Sequence, residues 1–151
     1  MQVIGFNFSK ISASREKEVL KPNIDTHIEF VNLEKMSVDL LKDMESSALD
    51  FKCTITYSKS EEKTEDKEKH KDKKEEMKKA EIAFEGNIIL ALTKDEAKDI
   101  HKSWKEKSLP NQIQIPLYNL ILRKCTPKAV SIADEIALPS PIPMPKIRGG
   151  Q

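Results

Sequence analysis

Ten consecutive residues, Leu49 to Ser58, alternate apolar and polar without a break. Leu49, Phe51, Cys53, Ile55 and Tyr57 fall on one side; Asp50, Lys52, Thr54, Thr56 and Ser58 fall on the other. Successive side chains of an extended chain point to opposite faces, so this pattern is a strand with one face buried and one wet, as in an antiparallel sheet. Residues Ala80 to Leu92 repeat it through Ile82, Phe84, Ile88, Leu90 and Leu92, with Gly86 interrupting where a bulge or bend is expected. Val3 to Ile11 places Ile4, Phe6 and Phe8 on one face. Ile24 to Leu33 alternates less cleanly, with Ile24, Thr26, Ile28 and Phe30 on one face and Val31 and Leu33 on the other. Glu34 to Glu45 fits a short helix through Met36, Leu40 and Met44, or an extension of the strand.

Beyond Leu92 the apolar period becomes helical. Thr93-Lys-Asp-Glu96 has the form of a capping box, in which the Thr93 hydroxyl accepts from the third helical amide and Glu96 reaches back to the Thr93 amide. Ala97, Ile100 and Trp104 make the stripe of that helix, and Pro110-Asn111 ends it or lies just past its end. Pro116 suits the first turn of a second helix with Leu117, Leu120, Ile121 and Cys125 on its apolar side. Thr126-Pro127 is either a kink or a fresh N-cap, after which Ala129, Ile132, Ala133 and Ile136 continue the period. Prolines at 139, 141, 143 and 145 then keep the end of the chain extended, excluding a helix or a central strand. The expected fold class is α+β: a four-stranded antiparallel sheet followed by helices packed on one face.

At 151 residues the chain is most economically one domain, read here as residues 1–147 with 148–151 a disordered tail. Between the third and fourth strands, 17 of the 21 residues from Lys59 to Lys79 are Lys, Glu or Asp, which reads as a mobile charged hairpin insertion. A net charge of +1 argues against nucleic acid as a partner. The first residues have no basic region followed by a long apolar run, and no stretch is long enough to span a bilayer, so a cytoplasmic protein without a membrane span is expected. Cys53 and Cys125 are too few for a disulfide framework and lack metal-ligand spacing; Cys125 reads as a small core hydrophobe.

No catalytic constellation emerges. His27, His70 and His101 lie in three different segments and read as surface or rim residues, no glycine-rich phosphate loop exists, and no nucleophile–base pair can be named. The expectation is a non-enzyme without metal or cofactor. Apolar residues left over by the periodic pattern are more informative: Ile113, Ile115, Leu138, Ile142, Met144 and Ile147 lie in proline-flanked stretches read as extended.

With these elements in order, the C-terminal half resembles the SecB export-chaperone family, its archaeal SecB-like members in particular. The likeness is carried by Ile88-Ile-Leu-Ala-Leu92, by Leu117-Tyr-Asn-Leu-Ile-Leu122 with Pro116 and Tyr118, and by Ala137-Leu-Pro-Ser-Pro-Ile142. The charged insertion and the extra prolines depart from the family pattern. The resemblance implies an ATP-independent holdase, a dimer or tetramer of this chain, whose exposed hydrophobic grooves bind non-native polypeptides. The client contacts expected on that reading are Phe30, Ile113, Ile115, Leu117, Tyr118, Ile142 and Met144, apolar residues in irregular or end-of-element positions. The alternative is a structural or assembly module whose proline-rich tail docks on a partner subunit.

Overall fold

Strict alternation becomes two central strands, and everything else is arranged around them. The computed structural model describes residues 1–16, 18–37, 43–59 and 78–149. In it β1 (Gln2–Arg15), β2 (Asn23–Met36), β3 (Glu45–Ser58) and β4 (Lys78–Leu92) precede α1 (Lys94–Trp104) and α2 (Asn111–Glu135). The strands form one antiparallel sheet in the order β1-β4-β3-β2. Consecutive β1 and β2 therefore occupy opposite edges, about 14 Å apart at three strand spacings. Between them in sequence, the Glu16 amide donates to the Lys79 carbonyl at 2.8 Å and Val19 packs against the core.

Leu49, Phe51, Cys53, Ile55 and Tyr57 of β3 pair directly with Ile88, Gly86, Phe84, Ile82 and Ala80 of β4, so both rows share one face. That face is sealed: every one of these apolar side chains is at most 4% exposed. The seal is α2, whose Leu117, Ile121, Cys125, Ala129 and Ala133 are buried at i,i+4 intervals and belong to the same core cluster. Cys125 is thus a small core residue, 1% exposed, and both cysteines are free thiols. The capping box at Thr93 forms as expected, with the Glu96 amide 3.3 Å from the Thr93 hydroxyl and the Thr93 amide 3.0 Å from the Glu96 carboxylate.

Several expectations are corrected. Ile113 and Ile115 are not extended: α2 starts at Asn111, so Pro116 lies inside it rather than at its start. Pro127 neither breaks nor restarts the helix, although each internal proline costs about 3 kcal/mol. The buried row runs unbroken from Ile121 through Cys125 to Ala133, and burying it on the sheet outweighs the lost amides. Leu33 is not opposite the core. A bulge between Phe30 and Asn32 takes up Val31 and returns Leu33 to the buried face, paired with Leu49. A comparable irregularity between Val3 and Gly5 removes Ile4 from the row of Phe6 and Phe8. Glu34 to Met36 extend β2, and Lys78 and Lys79 belong to β4. Residues 60–77 of the charged insertion, Leu40, His70 and the last two residues lie outside the described part of the chain.

Gly86 sits within unbroken β3–β4 pairing, and the irregularity lies in β1 opposite, between Phe8 and Lys10. A Cβ at Gly86 would run into the Asn7 carbonyl oxygen and meet the Phe51 ring at 3.0 Å. The glycine is there for close approach, not for a bend.

The end of α2 returns the chain to the core. Ala137 takes the left-handed conformation at φ 55, the Leu138 amide donates to the Ala133 carbonyl at 2.8 Å and the Ala137 amide to Asp134 at 3.3 Å. Leu138 is consequently buried, and the Tyr57 hydroxyl donates to the Pro139 carbonyl at 2.8 Å.

Candidate functional site

The two helices do not roof all four strands. The central strands are sealed, but the same face of the edge strands is not. On β1, Val3 and Ile11 are 39% and 46% exposed and Phe6 and Phe8 are half-buried. On β2, Ile24, Ile28 and Phe30 are half-buried. Among the described residues each edge strand is hydrogen-bonded on one side only, leaving a row of backbone donors and acceptors beside an apolar strip.

The β1 strip is aromatic. Phe6 and Phe8 meet edge to face at 5.2 Å, Phe6 lies 5.2 Å from Phe51, and Phe8 lies 5.8 Å from Phe84. α2 overhangs them with two cations: Lys124 Nζ is 6.0 Å from the Phe6 ring centroid and Lys128 Nζ is 5.4 Å from that of Phe8. Their methylene stems can lie along the trough while the ammonium groups stay wet. On the β2 side, Phe30 stacks on Tyr118 of α2 at 5.1 Å with an interplanar angle of 20°, and Gln114 Nε2 donates to the Tyr118 hydroxyl at 2.6 Å.

The contact residues expected from sequence do not converge on one groove. Phe30 and Tyr118 meet each other. Ile113, half-buried, lines an open cleft of about 730 Å³ between α1 and the start of α2, together with Glu96, Asp99, Lys102 and Glu106. Ile115 faces outward at 57% exposure. Leu117 is 1% exposed against the sheet and presents nothing to a partner; it belongs to the buried row of α2, which starts at Asn111 and not around Pro116 as expected. Ile142 and Met144 are 42% and 50% exposed, beyond the other end of α2, roughly 27 Å along the helix from Tyr118. Sequence reasoning missed Phe6, Phe8, Lys124 and Lys128. Strand periodicity made the phenylalanines ordinary core, and only the sheet order puts β1 at an edge.

A hydroxyl–imidazole contact also escaped the sequence. Ser47 Oγ on β3 lies 3.2 Å from His101 Nε2 on α1, beside the Lys35–Glu45 ion pair at 3.9 Å. Burial, and then the Lys35 ammonium, hold His101 below its usual value, with Glu45 opposing them. Ser47 is 0% exposed, so nothing can reach its hydroxyl, and the contact ties α1 to the sheet. Among the described residues no group of three or more His, Cys, Asp or Glu side chains could hold a metal ion, and no helix is long and apolar enough to cross a membrane.

No family model, no curated protein and no solved structure matches this chain.

Proposed function

We propose that this chain is a SecB-like holdase that binds non-native polypeptides without ATP. The observation that carries the reading is the half-covered apolar face of the two edge strands, each lying beside an unpaired backbone edge. A non-native segment matches such a surface: it brings apolar side chains that lose water on contact, at about 25 cal/mol per Å² buried, and backbone groups in need of partners. Neither interaction reads a particular sequence, so binding is broad. The Phe30–Tyr118 stack adds a rigid aromatic surface on the β2 side. A homo-oligomer of this chain is part of the proposal. The test is aggregation of a chemically denatured protein diluted into buffer without nucleotide. Suppression at several-fold molar excess is expected, and none would sink the proposal.

The tail favours a second reading. Ile142, Met144 and Ile147 are exposed on a proline-flanked segment outside any helix or strand, Ile147 with 101% exposure, as on an arm that docks on a sister subunit. In that case removing the arm dissolves the oligomer and leaves the subunit folded.

A further inference from the structure

The two edge strands differ in charge. β1 contains no carboxylate; its charged residues are Lys10 and Arg15. Facing it across the aromatic strip are Lys124 and Lys128. The carboxylates of β4 next door, Glu81 and Glu85, pair in register with Ser14 and Lys10 on the opposite, outer face of the sheet. Among the described ion pairs none involves Lys10, Lys124 or Lys128. The β1 trough is thus an apolar, aromatic floor with an open backbone edge and cations along its rim. β2, by contrast, carries Asp25, Glu29 and Glu34 against Lys35.

We infer that the β1 trough takes an extended, acidic polypeptide segment in which pairs of apolar residues alternate with pairs of acidic ones, so that each face of the segment carries both. This rests on the holdase reading and narrows it to a client class. Such a segment adds to β1 as a further strand. On the helix side its apolar side chains cover Phe6, Phe8 and Ile11 and its carboxylates reach Lys124 and Lys128 above the rings, while carboxylates on its other side reach Lys10 on the outer face. Arg15, hydrogen-bonded to the Ala137 carbonyl at 3.0 Å, takes no part. The irregularities after Val3 and Phe8 divide the edge of β1 into short runs. They suit a brief segment and oppose the full-length pairing that a sister strand would require.

The experiment uses the full chain and fluorescent peptides of equal length, built from repeats of two valines followed by two glutamates, two lysines or two threonines, so that each face of the extended peptide carries both kinds of side chain. Fluorescence anisotropy is expected to place the glutamate peptide about tenfold tighter than the lysine peptide at low salt. The preference should collapse toward ~1 M salt, where screening shortens to about 3 Å. Lys124→Glu combined with Lys128→Glu should reverse it. Both side chains are exposed, so the thermal unfolding midpoint of the double variant checks that the fold survives. Equal affinity for the charged peptides, tighter binding of the lysine peptide, or an unchanged preference in the double variant would each overturn the inference. So would acid-selective sites filled by a second copy, seen as concentration-dependent association in sedimentation that the double variant abolishes. If denatured protein is still captured, such outcomes leave the holdase reading standing. Failure to capture either peptides or denatured protein would remove both.

Discussion

The ring of Phe51 lies across Gly86 of the neighbouring strand, so close that a Cβ on the glycine would sit 3.0 Å from both Cε1 and Cζ. Phe51 fills the gap left by the missing side chain and extends on to Phe6 of β1, whose ring centroid is 5.2 Å away. A row of partners, Phe30, Phe51, Gly86 and Phe8, thereby crosses all four strands. Gly86→Ala must push aside either the ring or the β1 backbone at Asn7. Overpacking of this kind costs about 1–3 kcal/mol, and here backbone would also have to yield. Urea unfolding of Gly86→Ala should therefore show a loss of at least about 2 kcal/mol. A loss within the ordinary scatter of surface mutants would contradict the close approach.

Leu117 and Ile115 separate packing from binding. Leu117→Ala removes a fully buried side chain from the α2–sheet contact and should cost about 2–5 kcal/mol in denaturant unfolding. Ile115→Ala alters a side chain more than half exposed and should stay within about 0.5 kcal/mol of the parent. Any effect of Ile115→Ala on client capture then reports the surface itself.

Ala137 closes α2 in the left-handed region at φ 55, a conformation glycine adopts without the Cβ penalty. The carbonyls it satisfies and the return of Leu138 to the core keep it there despite a cost of roughly 1–2 kcal/mol. Ala137→Gly should raise stability by up to about 1 kcal/mol and move the thermal midpoint upward. An unchanged or lower midpoint would mean that the turn is not as described.

Much of this fold was legible in the chain because its signals are local. The alternation at Leu49–Ser58 and Ala80–Leu92 and the capping box at Thr93 depend only on near neighbours, and each forms as read. What escaped depends on residues far apart in sequence. Whether Leu33 faces inward turns on one extra residue, Val31, absorbed by pairing with β3. Whether Pro116 starts a helix or interrupts one turns on the sheet beneath Leu117 to Ala133. The candidate surface was harder still. Phe6 and Phe8 are binding candidates only because β1 is an edge and α2 is too narrow to cover it, which no window of sequence contains. Ser47 and His101 are 54 residues apart.

That pair gives a pH prediction with a definite sign. His101 titrates below the ordinary imidazole value of 6.5 because burial, aided by Lys35, disfavours its charge. The unfolded chain therefore takes up the proton first as pH falls. The resulting stability is fully present above 6.5 and is lost as pH drops below it toward the folded-state value, where the loss levels off. His101→Gln, which keeps a group able to bond Ser47, should flatten unfolding free energy across that window while the parent declines. Parallel pH profiles would remove His101 as the cause.

The boundary between core and arm falls at Pro139, and it fixes where a deletion can be made. Removing residues from 138 onward would strip a buried leucine from the core and leave the Tyr57 hydroxyl, whose ring is 0% exposed, without its acceptor. An unsatisfied buried hydroxyl costs about 1–3 kcal/mol, and the lost leucine adds to it. Loss of assembly in such a variant would say little about docking. Removing residues from 141 onward spares both contacts and takes away Ile142, Met144 and Ile147. The shorter variant should therefore melt with the full chain, and a lower midpoint would mean that the arm packs on its own subunit. With folding controlled in this way, native mass discriminates the two readings of function. An oligomer that falls apart supports the docking arm, whereas an oligomer that persists and still captures denatured protein leaves the edge strands as the working surface.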